Sequence, residues 1–135
     1  MEENARQALI EMEENIRQAL VEYGKKLVER GLVQGTWGNI SIRLDDKNML
    51  VTPSGLDYER LTPGDMVKVD IQTLAHEGEN KPTSEKELHA EIYRNRHDVG
   101  AIIHTHSKYA CVFAAAKCNM PILPELSLIH ISEPT

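Results

Sequence analysis

The hydrophobic period of this sequence changes near Gly38, from the helical repeat to strict alternation, and that change points to helix layered on sheet. Upstream, Leu9, Met12, Ile16, Leu20, Leu27 and Val28 recur at helical spacing with Glu, Gln and Arg between them. Gly31 follows Glu29 and Arg30 and suits the position just past a helix end; Gly24 weakens the pattern without breaking it. Downstream, Asn39-Ile-Ser-Ile-Arg-Leu44 alternates polar with apolar, residues 45–48 supply a turn, and Met49-Leu-Val-Thr52 answers as the second strand. Pro53-Ser-Gly55 ends that strand, Leu61-Thr-Pro-Gly64 makes another turn, and a short strand is predicted over residues 66–71. After a loop at 77–83, Ser84 suits the N-cap of a helix through Leu88, Ile92 and Tyr93 to about Asn95. The apolar run Val99-Gly-Ala-Ile-Ile103 reads as a buried strand that enters His104-Thr-His106-Ser107, and Ser107 can cap a helix over 108–117. Helix, antiparallel strands, then helix–strand–helix predict a layered α/β domain, and no internal repeat is visible.

Composition narrows the function. A chain of 135 residues with 41% apolar and 27% charged content fits one domain with a buried core. Fifteen basic against 21 acidic residues give a net charge of −6, and no Lys/Arg cluster interrupts it, so a nucleic-acid partner is not expected. The apolar stretches are too short for a membrane span, and the acidic opening MEENARQALIEMEEN is unlike a signal or transit peptide. The expected setting is the cytoplasm. Cys111 and Cys118 sit in an Ala-rich stretch and read as buried thiols, not a disulfide framework. The last residues, Leu126-Ser-Leu-Ile-His-Ile-Ser-Glu-Pro-Thr135, can be written codon by codon from a transposon-type sequencing adapter. Residues 126–135 are therefore expected to be a non-native tail behind a domain portion at 1–125, the other reading being a short strand, LSLIHI.

The chemistry concentrates at His104-Thr-His106. Alternate residues at a strand end point to one side, so both imidazoles can face one point beyond the sheet edge, where open α/β sheets place ligands. Two imidazoles so spaced suit Zn²⁺ or a similar ion; the alternative is a pair that only makes hydrogen bonds at a strand end. A catalytic zinc takes three protein ligands, and Glu85 and His89, one helical turn apart, could reach the site. Equally, Glu85 could be a carboxylate offsetting the helix dipole and His89 a core-edge histidine. His76 and His97 read as surface residues, and His130 falls in the suspect tail. Three loops rich in small residues, Gly35-Thr-Trp-Gly-Asn-Ile-Ser41, Thr52-Pro-Ser-Gly55 and Thr83-Ser84, could offer N–H groups and hydroxyls to an anion.

Taken in order, GTWGNISIR, LVTPSG, TSEKELHAEIYRNR and DVGAIIHTHS closely resemble the class II aldolase/adducin family over about residues 5–125. The resemblance implies a three-layer α/β/α sandwich, here incomplete at its C-terminus, a homotetramer when full length, and zinc-assisted cleavage or rearrangement of phosphorylated ketoses. It implies that His104 and His106 are metal ligands and that Glu85 contacts the resting metal and serves as acid/base. It assigns Thr36, Asn39, Ser54, Gly55, Thr83 and Ser84 to the phosphate, with Thr83 standing where Ser is commoner. The family's third metal histidine lies beyond Glu125 and is not identifiable, so the chain as given is expected to be an inactive N-terminal part. Glu85 favours an aldolase of the fuculose-phosphate type over the pentulose-5-phosphate 4-epimerases, which tend to carry Asp there. A methylthioribulose-1-phosphate dehydratase is the nearer rival. An adducin-like binding module would have no need of His104, His106 and Glu85, and an amidohydrolase barrel would need about 250 residues.

Overall fold

The computed structural model describes residues 1–119, so the predicted bracket at Pro121 and Pro124, His130 and the 126–135 tail lie outside the described residues. The chain divides into two compact units, the first running to Thr105 and the second opening at His106.

The first unit begins with α1 (Glu2–Glu29). Gly31 adopts a φ of +68°, and the Leu32 N–H reaches the Leu27 carbonyl (2.9 Å) while that of Gly31 reaches Val28 (3.0 Å). This is the glycine-terminated helix end predicted from the sequence. Only the C-terminal half of α1 is buried, through Leu20, Val21, Gly24 and Leu27; Leu9 and Met12 are exposed. The predicted apolar stripe is thus longer than the surface that covers it in this unit. Gly24 has a packing reason, since a Cβ there would lie 2.6 Å from the Tyr58 ring.

Four strands follow: β1 (Asn39–Arg43), β2 (Asn48–Val51), β3 (Val67–Asp70) and, after α2 (Lys86–Asn95), β4 (Ala101–His104). They form one antiparallel sheet in the order β3-β2-β1-β4. The β1–β2 turn is closed by the Asp45 carboxylate, which accepts from the N–H groups of Lys47 (2.8 Å) and Asn48 (2.7 Å).

Alternation along the strands sends neighbouring residues to opposite faces. Ile40 and Leu50 join Leu20, Val21, Leu27, Tyr58 and Leu61 in the core against α1. Met49, Val51, Val67 and Val69 join Ala90 and Tyr93 of α2 on the other face. Helix, sheet and helix therefore stack as α/β/α, the layering implied by the sequence motifs.

Three expectations need correction. The strand read as buried, β4, has Ala101 and Ile103 exposed, since among the described residues only β1 lies beside it. Ser84 does not cap α2; Glu85 occupies the N-cap position, because the Lys86 N–H bonds to the Thr83 carbonyl (3.1 Å) and the turn starts one residue late. In the second unit, α3 (Lys108–Ala115) begins after Ser107 as predicted, yet none of its residues is buried, and Cys111 and Cys118 are exposed free thiols.

Candidate functional site

Antiparallel pairing brings the chemistry to one end of the sheet. The start of β1 lies beside the ends of β2 and β4: Asn39 opposes His104, and Ser41 opposes Val51. Gly38 leads into β1 with a φ of +80°, and a Cβ there would lie 2.7 Å from the His104 carbonyl and 2.8 Å from Val33. Only glycine permits so close an approach of the two backbones.

The three small-residue loops gather at this same end. The Thr52 N–H bonds to the Ile40 carbonyl (3.0 Å), that of Thr83 to Thr52 (3.0 Å), and that of Ser54 to Lys81 (2.9 Å). Thr36, Ser54, Gly55 and Ser84 are exposed, whereas Thr83 is buried with its hydroxyl accepting from the Glu85 N–H (3.4 Å).

Glu85 is aimed at the sheet. Its Oε2 makes a close contact with His104 Nδ1 and accepts from Asn39 Nδ2 at 2.8 Å. Asn39 Oδ1 in turn lies in a short hydrogen bond with His89 Nε2. Behind it, His89 Nδ1 is 2.6 Å from Ser41 Oγ, which is 2.8 Å from the Tyr93 hydroxyl. The chain of contacts starts at partly exposed groups and ends at Ser41, His89 and Tyr93, which are fully buried. Burial holds the His89 pKa down to about 4, helped by the nearby His104 ring and opposed by the Glu85 carboxylate, so the His89 imidazole is neutral at pH 7. Burial likewise raises the Tyr93 pKa, against the lowering influence of Ser41 and Arg43. Arg43 closes the row, stacking over the Tyr93 ring at 4.7 Å and donating to the carbonyls of Tyr93 and Arg96.

By type, Glu85 and His104 are groups that could hold a metal ion, and His106 is a donor of the same kind. His106 is exposed and opens the second unit, while His76 and His97 are exposed and lie elsewhere in the sequence from this set. His89 is not at the core edge but fully buried. Sequence reading missed Ser41 and Tyr93. The signal was present: Glu85, His89 and Tyr93 recur every fourth residue from the N-cap along α2, facing Asn39, Ser41 and Arg43, which recur every second residue on β1.

A helix-flanked antiparallel sheet thus brings a carboxylate and an imidazole together at its loop-rich end. The family described as "Class II Aldolase and Adducin N-terminal domain" matches residues 18–132, and the chain belongs to it. A 5-deoxy-D-ribulose 1-phosphate aldolase of Bacillus thuringiensis serovar kurstaki is 41% identical over 105 residues, 77% of this chain and 49% of that protein. An L-fuculose 1-phosphate aldolase structure superposes with a TM-score of 0.71 at 42% identity, covering 77% of this chain and 50% of that one. The L-fuculose-1-phosphate aldolase of Thermus thermophilus gives 0.62 at 32% identity, with 73% and 49% covered. The chain thus spans about half the length of these relatives. Among the described residues, no helix is long and apolar enough to cross a membrane.

Proposed function

We propose that the protein carrying this chain is a metal-dependent class II aldolase, an aldehyde-lyase. It would cleave a phosphorylated ketose of the fuculose-phosphate type to dihydroxyacetone phosphate and an aldehyde. The observation that carries this reading is the meeting of Glu85 with His104 beside Asn39, where three small-residue loops converge. The names of the relatives support the same class.

In this reading Glu85, His104 and His106 hold Zn²⁺ or another divalent metal, with a third histidine supplied from beyond Glu125. Imidazole nitrogen and carboxylate oxygen suit zinc, and the Asn39 amide gives the carboxylate the outer support such ligands need. Bound there, the metal would supply Lewis-acid polarisation of the ketose carbonyl. Glu85 is the acid/base: its Oε2, held by the Asn39 amide, takes or returns the proton at carbon.

Thr36, Asn39, Ser54, Gly55, Thr83 and Ser84 are assigned to the phosphate. The N–H groups of Ser54 and Thr83 are engaged by carbonyls, so from those two loops the exposed Ser54 and Ser84 hydroxyls and the N–H groups of Gly55 and Ser84 are the donors offered to the phosphate. One Asn39 amide hydrogen goes to Glu85, leaving the second for an anion. The start of α2 adds a favourable dipole. Fixing the phosphate away from the reacting bond orients the ketose.

The test is a panel of ketose phosphates offered to the full-length protein, with metal content measured and oligomeric state read by light scattering, a homotetramer being expected. Cleavage to dihydroxyacetone phosphate with about one divalent ion per subunit is the expected result. Water loss or inversion without carbon–carbon cleavage would replace the reading with a dehydratase or an epimerase. Neither metal nor turnover would leave a binding module.

A further inference from the structure

The contacts behind Glu85 have a direction. A carboxylate only accepts hydrogen bonds, so the Asn39 amide must turn its NH₂ toward Glu85 and its Oδ1 toward His89. His89 Nε2 then carries a hydrogen. In a neutral ring Nδ1 is left as an acceptor, so the Ser41 hydroxyl donates into it. Ser41 Oγ, its hydrogen spent, accepts from the Tyr93 hydroxyl. Reversing any one link sets two lone pairs or two hydrogens face to face inside a dry core. The direction is set at the Glu85 end, which only accepts; the Tyr93 hydroxyl, able to serve either way, is left to donate.

We propose that Tyr93, Ser41 and His89 form a one-way hydrogen-bond relay that locks the Asn39 amide with its NH₂ toward Glu85, making them positioning residues for that carboxylate. The catalytic consequence rests on the proposed acid/base role of Glu85; the polarity of the relay does not. Without the relay the amide could rotate and present its oxygen to the carboxylate. Glu85 would then lose its donor and its fixed approach to His104. The relay also accounts for the buried polar side of β1: Asn39 and Ser41 are both hydrogen-bonded by His89 of α2.

Two readouts on the full-length protein need no turnover. Imidazole ¹⁵N shifts at neutral pH should show His89 as a single neutral tautomer protonated at Nε2, and the Asn39 NH₂ resonances should be slow to exchange. Two substitutions separate positioning from packing. His89→Gln can place an amide N–H near the old Nε2 and should keep the Asn39 signature. His89→Asn is too short to reach Asn39 and should lose it. In turnover, His89→Asn should lower kcat roughly 10- to 100-fold, in the range for outer-sphere partners of metal ligands, with KM within about twofold; His89→Gln should recover most of it.

A His89 ring protonated at Nδ1 alone, or on both nitrogens, overturns the polarity. Equal loss in the Gln and Asn variants, in both the resonance and kcat, overturns the positioning role. If both variants fail to fold, the wild-type tautomer still decides the direction. A protein that shows the predicted tautomer and Asn39 signature but cleaves no ketose phosphate supports the relay and sinks the aldolase reading instead.

Discussion

The two faces of β1 are built from the same five residues and do opposite work. On one side Ile40 and Ile42 pack toward α1 among leucines and valines, where shape and apolar area decide stability. On the other, Asn39, Ser41 and Arg43 are tied by directed hydrogen bonds to side chains and carbonyls of the α2 region. A hydrophobic face tolerates exchange of one aliphatic group for another of similar volume. A buried polar row does not, because each member fixes the donor or acceptor sense of the next. The apolar side supports the sheet; the polar side sets the geometry at its end.

The largest expected effect breaks the polar side at its outer end. Glu85→Gln keeps the shape of the side chain but removes its ability to take a proton. Turnover by the full-length protein should fall about 10²–10⁴-fold with the melting temperature nearly unchanged. Wild-type turnover in that variant would return Glu85 to a merely electrostatic role at a helix start.

The matching break on the apolar side is Leu50→Ala. Leu50 is fully buried against α1, and its truncation should cost about 2–5 kcal/mol in chemical denaturation. The kcat of the protein that remains folded should change little. A large fall in kcat at full folding would show that the two faces are not separable as described.

These contrasts also explain what was legible in the sequence. Helix and strand periods place α1, β1, β2, β3 and α2 well, because apolar periodicity records which face meets the core. The same rule is silent on the polar side of β1, whose side chains meet a helix carrying matching polar groups at every fourth residue. It misled on β4, whose apolar run resembles a buried central strand although among the described residues β1 alone lies beside it. Motif spacing singled out Glu85 and His104, and the fold brings these two side chains into close contact. Periodicity carries no information on hydrogen-bond direction, so the part played by Ser41 and Tyr93 becomes visible only once two elements are placed side by side.

A pH titration sharpens the comparison at an intermediate size. His89 is held neutral with a pKa of about 4, against an ordinary value near 6.5 once unfolded. Between those limits the unfolded chain binds a proton that the folded one refuses. Stability should therefore be fully present above about pH 6.5, fall as pH drops, and level off for this group below about pH 4. The loss should be about 3 kcal/mol, read by denaturant unfolding at a series of pH values. In His89→Gln this increment should vanish while the response of the carboxylates remains. An unchanged pH profile in that variant would mean that His89 titrates normally, contrary to its burial behind Asn39.

The smallest effect lies on the α1 side, in a polar device that ties the helix to β3 and the turn before it. Glu13 accepts from Arg17 (2.9 Å) and Lys68 (3.1 Å), and Arg17 donates to the Met66 carbonyl at 2.7 Å. Burial would raise the Glu13 pKa, but these hydrogen bonds and positive charges outweigh it and hold the carboxyl below its usual range. The attraction is partly screened, since the Lys68 side chain is 44% exposed. Glu13→Gln keeps the hydrogen-bonding shape and removes the charge, so it should cost no more than about 1 kcal/mol at pH 7. That cost should shrink as pH falls through the lowered Glu13 pKa, because the wild type then loses the same charge, and it should shrink with added salt. A pH-independent loss of several kcal/mol would mean that Glu13 supports α1 by packing, and that the α1 face also depends on a polar contact its apolar core cannot replace.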